Sequence, residues 1–303
     1  MHFLVIGAGA MGCLFAARLQ REGFPVALYE KSRERAQRIR DKGIRVQDPA
    51  GNFGAKVPVL SGQAPDPPDA VLLCVKSYDT EEAAGTIASW LGEHTVVLTL
   101  QNGLGNLDIL ERVFGKERVL GGVTSEGATV LDHGSIRHAG KGETSIGPPG
   151  EGAEKIVSAL RQAGFNCRAV SNVEQLIWGK LIVNAGINAL AAVTRLKNGR
   201  LPENAEIRVV MEAAVKEAVA VAQAKQIALP YADPMGRVLE VCIATADNVA
   251  SMLQDVLNRK RTEIDFINGA IVREGEALGI PTPVNFVLAS LVKAIQETYL
   301  ERV

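Results

Sequence analysis

The pattern of hydrophobic and polar positions changes character along the chain. In the first part, short apolar runs alternate with segments of helical periodicity. The predicted buried strands are 2–6, 26–30, 70–75, 95–100 and 118–122, and the predicted crossover helices lie near 10–22, 32–42, 80–91 and 104–114. Nearly continuous apolar strands are typical of a parallel sheet that is covered on both faces. The pattern therefore predicts an α/β Rossmann-type doubly wound sheet domain over residues 1–170.

After the predicted parallel strands, the sequence pattern predicts a short β segment and then only helices. Residues 127–147 predict an antiparallel meander, followed by a helix near 152–163 and a strand at 167–170. Helical periodicity fills the rest, with further predicted helices at 205–227, 235–257, 264–278 and 284–300. We therefore predict an all-helical C-terminal domain over residues 171–303. The long apolar helices 205–227 and 284–300 could pack either within the chain or across the interface of a homodimer.

One predicted helix carries polar residues where an apolar surface is expected. In WGKLIVNAGINAL (178–190), Lys180, Asn184 and Asn188 are spaced four residues apart and lie on one face. The remaining positions are mostly apolar, which is typical of a buried helix. Buried amide and ammonium groups are costly unless they are paired. This stripe therefore needs partners from the protein or from a ligand.

Composition and charge narrow the class of protein. The chain has 303 residues, of which 47% are hydrophobic and 22% charged, with a net charge of -1. This near-neutral charge gives no argument for binding nucleic acid or an anionic membrane surface, and no run of 18 apolar residues indicates a membrane span. The four cysteines are far apart and lack metal-ligand spacing, which favours reduced core residues in a cytoplasmic protein.

A glycine motif follows the first predicted strand. The sequence GAGAMG consists of Gly7, Ala8, Gly9, Ala10, Met11 and Gly12 and opens the first predicted helix. Gly7 permits a tight turn, Gly9 allows the backbone to approach a pyrophosphate, and Gly12 allows close packing of helix and strand. The alternative is a tight turn without a ligand, but the strand, the helix and the position favour dinucleotide binding.

The residues after the second strand point to two cofactors. Glu30 lies where an acidic residue would accept a hydrogen bond from the 2′-hydroxyl of NAD. Lys31, Arg33 and Arg35 follow and could instead hold the 2′-phosphate of NADP. A solvated basic helix face is the third interpretation.

Polar residues follow two later strands and recur in the helical part. Lys76 comes just after a buried strand, and Asn102-Gly103 comes after the next, at the sheet edge where ligands of open α/β sheets bind. Asn102-Gly103 can also be an ordinary turn. Asn248 and Ser251 are predicted one turn apart on a helix, and Glu263 follows. Taken alone, Ser251 and Glu263 are better explained as ordinary helix-surface and salt-bridge residues.

Together these motifs resemble the ketopantoate reductase family. The matching segments are GAGAMG, CVKSY, QNGLG, WGKLIVNAGINAL and SMLQD…TEIDFING, in this order and over essentially the whole chain. The resemblance implies a Rossmann domain, a helical substrate-binding domain, and a cleft between them where NADPH reduces 2-dehydropantoate to pantoate.

The resemblance also implies roles for individual residues. It makes Lys180 the general acid, with Glu263 close to it or to the cofactor ribose. The implied substrate-binding residues are Asn102, Lys180, Asn184, Asn188, Asn198 and Ser251. The implied cofactor-binding residues are the glycine loop 7–12, Lys31, Lys76, Asn102, Ala128 and Glu263. Glu30 departs from the common family pattern, so NAD remains an alternative to NADP.

The chemistry of the stripe agrees with these roles. Hydride transfer to a ketone carbon develops negative charge on its oxygen, and a desolvated lysine can supply the proton. Neighbouring asparagines can hydrogen-bond the carboxylate and hydroxyl of a small 2-oxo acid. Two alternatives remain: a related β-hydroxyacid or glycerol-phosphate dehydrogenase acting on another acid, and a dinucleotide sensor without turnover. A sensor would have no need of Lys180 and Glu263.

Overall fold

A computed structural model describes residues 1–62 and 66–301 in two structural units. Unit 1 comprises residues 1–101 and 106–173, and unit 2 comprises residues 102–105 and 174 onward. The sequence placed the domain boundary at residue 170. Residues 302–303, at the end of the predicted helical domain, lie outside the described residues.

Unit 1 contains a mostly parallel sheet of eight strands. Its strands, with those of a second sheet, are β1 (Phe3–Ile6), β2 (Val26–Tyr29), β3 (Ile44–Gln47), β4 (Phe53–Ala55), β5 (Val59–Leu60), β6 (Ala70–Leu73), β7 (Val96–Thr99), β8 (Val119–Thr124), β9 (Gly127–Asp132), β10 (Ser135–Gly140), β11 (Glu143–Gly147) and β12 (Asn166–Ala169). The order in the large sheet is β12-β11-β8-β7-β6-β1-β2-β5. The six strands from β8 to β5 are parallel and have the doubly wound order of dinucleotide-binding folds, with β1 at its centre.

The helices of unit 1 cover this sheet. They are α1 (Ala10–Arg21), α2 (Arg33–Lys42), α3 (Thr80–Ile87), α4 (Asn106–Phe114) and α5 (Glu151–Gln162). All four residues of β1 and of β6 are buried, which explains their uninterrupted apolar sequence. Two separate apolar clusters within the unit contain residues of β1 and β6, as expected for a sheet that is covered on both faces.

The predicted meander is only half correct. Strands β9 and β10 form the expected antiparallel pair, but β11 pairs with β8 and β12 of the large sheet. A four-stranded sheet with the order β4-β3-β10-β9 forms instead, and its strands contact α1. This sheet was not predicted, because β10 pairs with β3 from a distant part of the sequence.

A chain of ionisable side chains lies buried between α1 and the small sheet. Arg18 donates to Asp48 at 2.6 Å. One ring nitrogen of His138 lies 2.8 Å from Asp48 Oδ2, and the other lies 2.5 Å from Glu126 Oε2. Burial alone would raise the pKa of the Asp48 carboxyl, but hydrogen bonds from His138, the Ala50 backbone and Arg18 hold this pKa below its usual range. The four side chains tie the small sheet to the first helix.

Unit 2 is helical, as predicted. Its α-helices are α6 (Val173–Thr194, whose first residue belongs to unit 1), α7 (Ala205–Ala224), α8 (Pro234–Ala244), α9 (Ser251–Leu257), α10 (Asn268–Leu278) and α11 (Pro283–Glu297). By length and composition, α6 could cross a membrane, but 72% of its apolar window is buried, as in the core helix of a soluble protein. Gly186 of α6 allows close packing, since a Cβ there would lie 2.9 Å from Val215.

The predicted helix 235–257 is wrong in its middle part. Helix α8 ends at Ala244, and α9 begins only at Ser251. The intervening backbone instead bonds to another segment: Asn198 N–H donates to the Asn248 carbonyl and Gly199 N–H to the Ala246 carbonyl. Asn248 and Ser251 therefore do not share a helical turn.

Candidate active site

The glycine loop has the geometry that a pyrophosphate site requires. Gly7 has a φ of +99°, a region that favours glycine, and a Cβ there would lie 2.9 Å from Val75. A Cβ on Gly12 would lie 1.9 Å from the Gly7 carbonyl oxygen. A Cβ on Gly9, by contrast, would meet no described atom within 4 Å. Gly9 is also the N-cap of α1, so open space lies beside a helix end that offers backbone N–H groups. The loop therefore fits a dinucleotide.

We expect Gly9→Ala to abolish most cofactor binding without unfolding the protein. Gly9 has a φ of -76°, which alanine adopts easily, and the added methyl group would collide with a pyrophosphate rather than with protein. Titration with NADPH and NADH should show at least about a tenfold loss of affinity, equivalent to about 1.4 kcal/mol. The melting temperature is the control, with Gly12→Ala as the variant that should lower it. Unchanged affinity in Gly9→Ala would place the dinucleotide elsewhere.

The acidic and basic residues after β2 are partnered within unit 1. Glu30 is only 4% exposed, and its Oε1 accepts from Ser32 N–H at 2.9 Å. Lys31 Nζ lies 3.1 Å from Asp79 Oδ1 and 3.0 Å from Glu82 Oε2. Hydrogen bonds to Glu82 and Asp79 raise the pKa of Lys31. Both side chains therefore already have hydrogen-bond partners within the protein.

The segment that carries Lys76 runs beside the glycine loop. Lys76 is half-buried and precedes the 3-10 turn Ser77–Asp79. The same segment is fixed by Gln101, whose amide donates to the Val75 carbonyl at 2.8 Å and to Thr80 at 2.9 Å. This role of Gln101 was not predicted, although the position of a long amide side chain at the carboxyl end of β7 could have indicated it.

Ala128 lies on β9, in the small sheet that packs on α1. It is half-buried, packs against the core of unit 1, and pairs across the strands with His138. Glu126, two residues earlier, belongs to the buried chain of ionisable side chains that includes Arg18. The segment implied to contact the cofactor is therefore held by a network that reaches α1.

The polar stripe of α6 forms as predicted. Lys180 and Asn184 are half-buried, whereas Asn188 is only 6% exposed. The helix around them is fixed on its apolar sides: Leu181 and Ile182 are buried in the core of unit 2. Tyr231 donates to the Gly179 carbonyl at 2.6 Å, next to the lysine.

Lys180, Glu263 and Asn102 come together in unit 2, although they are far apart in sequence. Burial lowers the pKa of Lys180 to about 8, and the charge of Glu263 partly opposes this shift. The Asn102 amide lies 3.4 Å from Glu263 Oε2. Glu263 itself is only 5% exposed. A lysine of this pKa is mostly protonated near neutral pH and can still release its proton, as a general acid must.

The loop that carries Asn102 is fixed by its glycine. Leu104 N–H donates to the Phe266 carbonyl at 2.9 Å. Gly103 has a φ of +84°, and a Cβ there would lie 2.2 Å from the Phe266 carbonyl oxygen. Phe266 belongs to the 3-10 turn that follows Glu263. The Asn102-Gly103 turn is therefore more than a loop reversal, because it docks on the segment of Glu263.

Asn198 lies with the loop between α8 and α9. It is 7% exposed, and its amide donates to Thr245 Oγ1 at 2.9 Å. Its Oδ1 is buried and has no hydrogen-bond partner among residues 1–62 and 66–301. A buried acceptor without a partner is costly, so this oxygen is suited to a donor from a ligand.

Ser251 is exposed at the first residue of α9. The contacts of the described residues do not join it to Lys180 or to Asn198. Its place among the substrate-binding residues rests on the resemblance.

A doubly wound sheet with a glycine loop, joined to a helical unit with a lysine of lowered pKa, defines a class: two-unit oxidoreductases that use a nicotinamide dinucleotide. The comparisons with known proteins narrow this class. The family model described as "Ketopantoate reductase PanE/ApbA" matches residues 3–151, and its C-terminal companion matches residues 172–296. The chain belongs to the ketopantoate reductase family.

Individual relatives agree over nearly the full length. The 2-dehydropantoate 2-reductase of Archaeoglobus fulgidus is 38% identical and that of Vibrio cholerae 32% identical. These matches cover 96% and 99% of this chain and 97% and 99% of the two relatives. The crystal structure of a ketopantoate reductase from Ralstonia eutropha JMP134 has a TM-score of 0.91 at 35% identity, covering 98% of this chain and 99% of that chain.

A second kind of enzyme shares the fold. The ternary structure of D-mandelate dehydrogenase with NADH and anilino(oxo)acetate also has a TM-score of 0.91, at 29% identity, and it covers 98% of this chain and 99% of that chain. The similarity therefore includes an enzyme that was solved with NADH.

Proposed function

We propose that the protein reduces 2-dehydropantoate to pantoate with NADPH, a step of pantothenate and coenzyme A biosynthesis. The observation that carries the proposal is Lys180, whose pKa is lowered to about 8 beside Glu263 on a helix that also presents Asn184 and Asn188. The family assignment and the curated relatives support the same reaction. The four cysteines are unpaired, in keeping with a cytoplasmic location.

Each group has a distinct proposed role. A bound nicotinamide would supply the hydride that C2 of the 2-oxo acid receives. Lys180 donates a proton to the carbonyl oxygen as negative charge develops there, so that a hydroxyl group forms. Glu263 keeps the ammonium protonated by opposing the effect of burial, and Asn102 orients Glu263. Asn184, Asn188, Asn198 and Ser251 bind the carboxylate and hydroxyl groups of the substrate.

The proposed cofactor-binding residues lie mainly in unit 1. They are the glycine loop 7–12, Lys31, Lys76 and Ala128 of unit 1, and Asn102 and Glu263 of unit 2. Lys31 is already bound by two carboxylates, which reduces the contribution that it can make to a phosphate.

Turnover tests this function directly. Purified protein is mixed with NADPH or NADH and with 2-dehydropantoate, unbranched 2-oxo acids or phenylglyoxylate, and the loss of nicotinamide absorbance is followed. We expect the highest kcat/KM with NADPH and 2-dehydropantoate. A higher kcat/KM for phenylglyoxylate with NADH would support the second candidate, a 2-hydroxy acid dehydrogenase similar to the D-mandelate enzyme. Binding of dinucleotide without turnover of any acid would support a sensor.

We expect Asn184→Ala and Ser251→Ala to raise KM for the oxo acid while cofactor affinity stays nearly constant. Each variant removes a hydrogen bond to a charged ligand, worth about 1.5–3 kcal/mol, or roughly 10- to 150-fold in affinity. Asn258→Ala, at the exposed C-cap of α9, is the matched control and should change neither constant. Loss of cofactor binding in either test variant would contradict the assignment to the substrate.

A further inference from the structure

Two basic residues after β2 differ in the number of carboxylates that lie beside them. Lys31 faces two carboxylates, Asp79 and Glu82, at 3.1 and 3.0 Å. One positive charge beside two negative charges leaves a local excess of negative charge. A phosphate placed against Lys31 would also meet both carboxylates, so this lysine is a poor phosphate-binding group.

Arg35 lies on the first turn of α2 and reaches the glycine loop. Its Nη2 donates to the Ala8 carbonyl at 3.3 Å and lies 3.4 Å from Glu30 Oε2. Both contacts are long for charge-assisted hydrogen bonds. Its Nε has no acceptor in the described ranges 1–62 and 66–301. Both contacts of the guanidinium are therefore long, and its Nε can still donate to a ligand.

Arg35 also lies next to the acidic residue that would otherwise mark an NAD site, with Nη2 3.4 Å from Glu30 Oε2. The side chain of Glu30 is 5% exposed, whereas that of Arg35 is 38% exposed. Burial raises the pKa of the Cys13 thiol to about 12, and the charges of Arg35 and Glu30 act on it in opposite directions. Both charges therefore lie near the first turn of α1. At the end of β2, the accessible group is a guanidinium rather than a carboxylate.

We propose that Arg35, rather than Lys31, recognises the 2′-phosphate of NADPH, and that by covering Glu30 it disfavours NADH. This inference rests on the proposed function, in which unit 1 binds a nicotinamide dinucleotide. The adenosine ribose of such cofactors lies between the glycine loop and the end of the second strand, and Arg35 contacts both. A guanidinium can bind a phosphate through two parallel N–H groups, which an ammonium cannot do.

Binding of NADP⁺ and NAD⁺ to the full chain, measured by calorimetry, tests the proposal without turnover. We expect Arg35→Gln to weaken NADP⁺ binding roughly 10- to 150-fold, the range of one charge-assisted interaction, and to strengthen NAD⁺ binding because Glu30 becomes accessible. The loss of NADP⁺ affinity in Lys31→Gln should be at least about tenfold smaller than the loss in Arg35→Gln. Arg38→Gln is the matched control, since Arg38 lies on the same helix but is paired with Glu34 at 2.7 Å.

A second variant tests the covering of Glu30. In Arg35→Gln combined with Glu30→Gln, the gain in NAD⁺ affinity should disappear. The inference is overturned if Lys31→Gln causes the larger loss, or if Arg35→Gln weakens both dinucleotides equally, which would indicate a role in shaping the loop alone. Wild-type protein that binds neither dinucleotide would overturn the proposed function as well, so the two failures are distinguishable.

Discussion

Lys180→Ala should lower kcat for 2-oxo acid reduction by about 10²–10⁴, the usual contribution of a general acid. The reason is the position of this ammonium: burial lowers its pKa to about 8, which brings proton release close to the working pH. Steady-state kinetics with saturating cofactor measure the loss. The pH profile provides a second measurement. Because the donor must be protonated, wild-type kcat should fall as the pH rises through about 8, and this dependence should be absent from Lys180→Ala.

Lys180→Arg separates acid catalysis from charge. Arginine keeps a positive charge for the substrate carboxylate but does not release its proton at accessible pH. We expect it to retain substrate binding better than alanine while losing most of kcat. If Lys180→Ala instead kept its kcat and only raised KM, the lysine would be a binding residue.

Gly103→Ala is expected to reduce kcat/KM by about 10²-fold, the cost that misplacing a reacting group by about 1 Å can have. The new Cβ would lie 2.2 Å from the Phe266 carbonyl oxygen, and this neighbour is backbone, which cannot rotate away. The loop must therefore shift, and the 3.4 Å contact between Asn102 and Glu263 would be lost. Steady-state kinetics with NADPH and 2-dehydropantoate measure the effect.

Gly105→Ala is the matched control for this variant. Gly105 has a similar φ of +93°, but a Cβ there would meet no described atom within 4 Å. It carries the backbone strain of a positive φ without the collision. The difference between the two variants therefore isolates the contact with Phe266. Equal losses in both would show that strain in the loop, rather than its docking, determines activity.

The parts of the fold that sequence predicts are those with local patterns. Strands β1 and β6 are buried along their whole length, so their apolar runs were unambiguous. Strand β5 has only two residues, and β3 alternates buried and exposed positions over four, so both were missed. The break between α8 and α9 has no glycine or proline in residues 245–250. It is fixed by hydrogen bonds from Asn198 and Gly199, which no local pattern shows.

In the candidate site, too, the features that depend on local patterns could be predicted and those that depend on distant contacts could not. The Lys180, Asn184 and Asn188 stripe could be predicted because all three residues share one helix. Which of the basic residues after β2 faces a phosphate could not be predicted, because the partners of Lys31 lie 48 and 51 residues away in the sequence. Likewise, the sequence could not show that Gly103 docks on Phe266. Contacts between distant segments decide which of several plausible side chains faces a ligand.

The buried chain of Arg18, Asp48, His138 and Glu126 constrains how this protein can change during evolution. Removing Arg18 or Asp48 would leave its oppositely charged partner in a dry interior, at a cost of about 3–5 kcal/mol, although apolar replacement of a whole buried ionic group can be neutral. Single substitutions would then be eliminated before compensating ones arise. The four positions should therefore be either all retained or all replaced among diverging descendants of this protein.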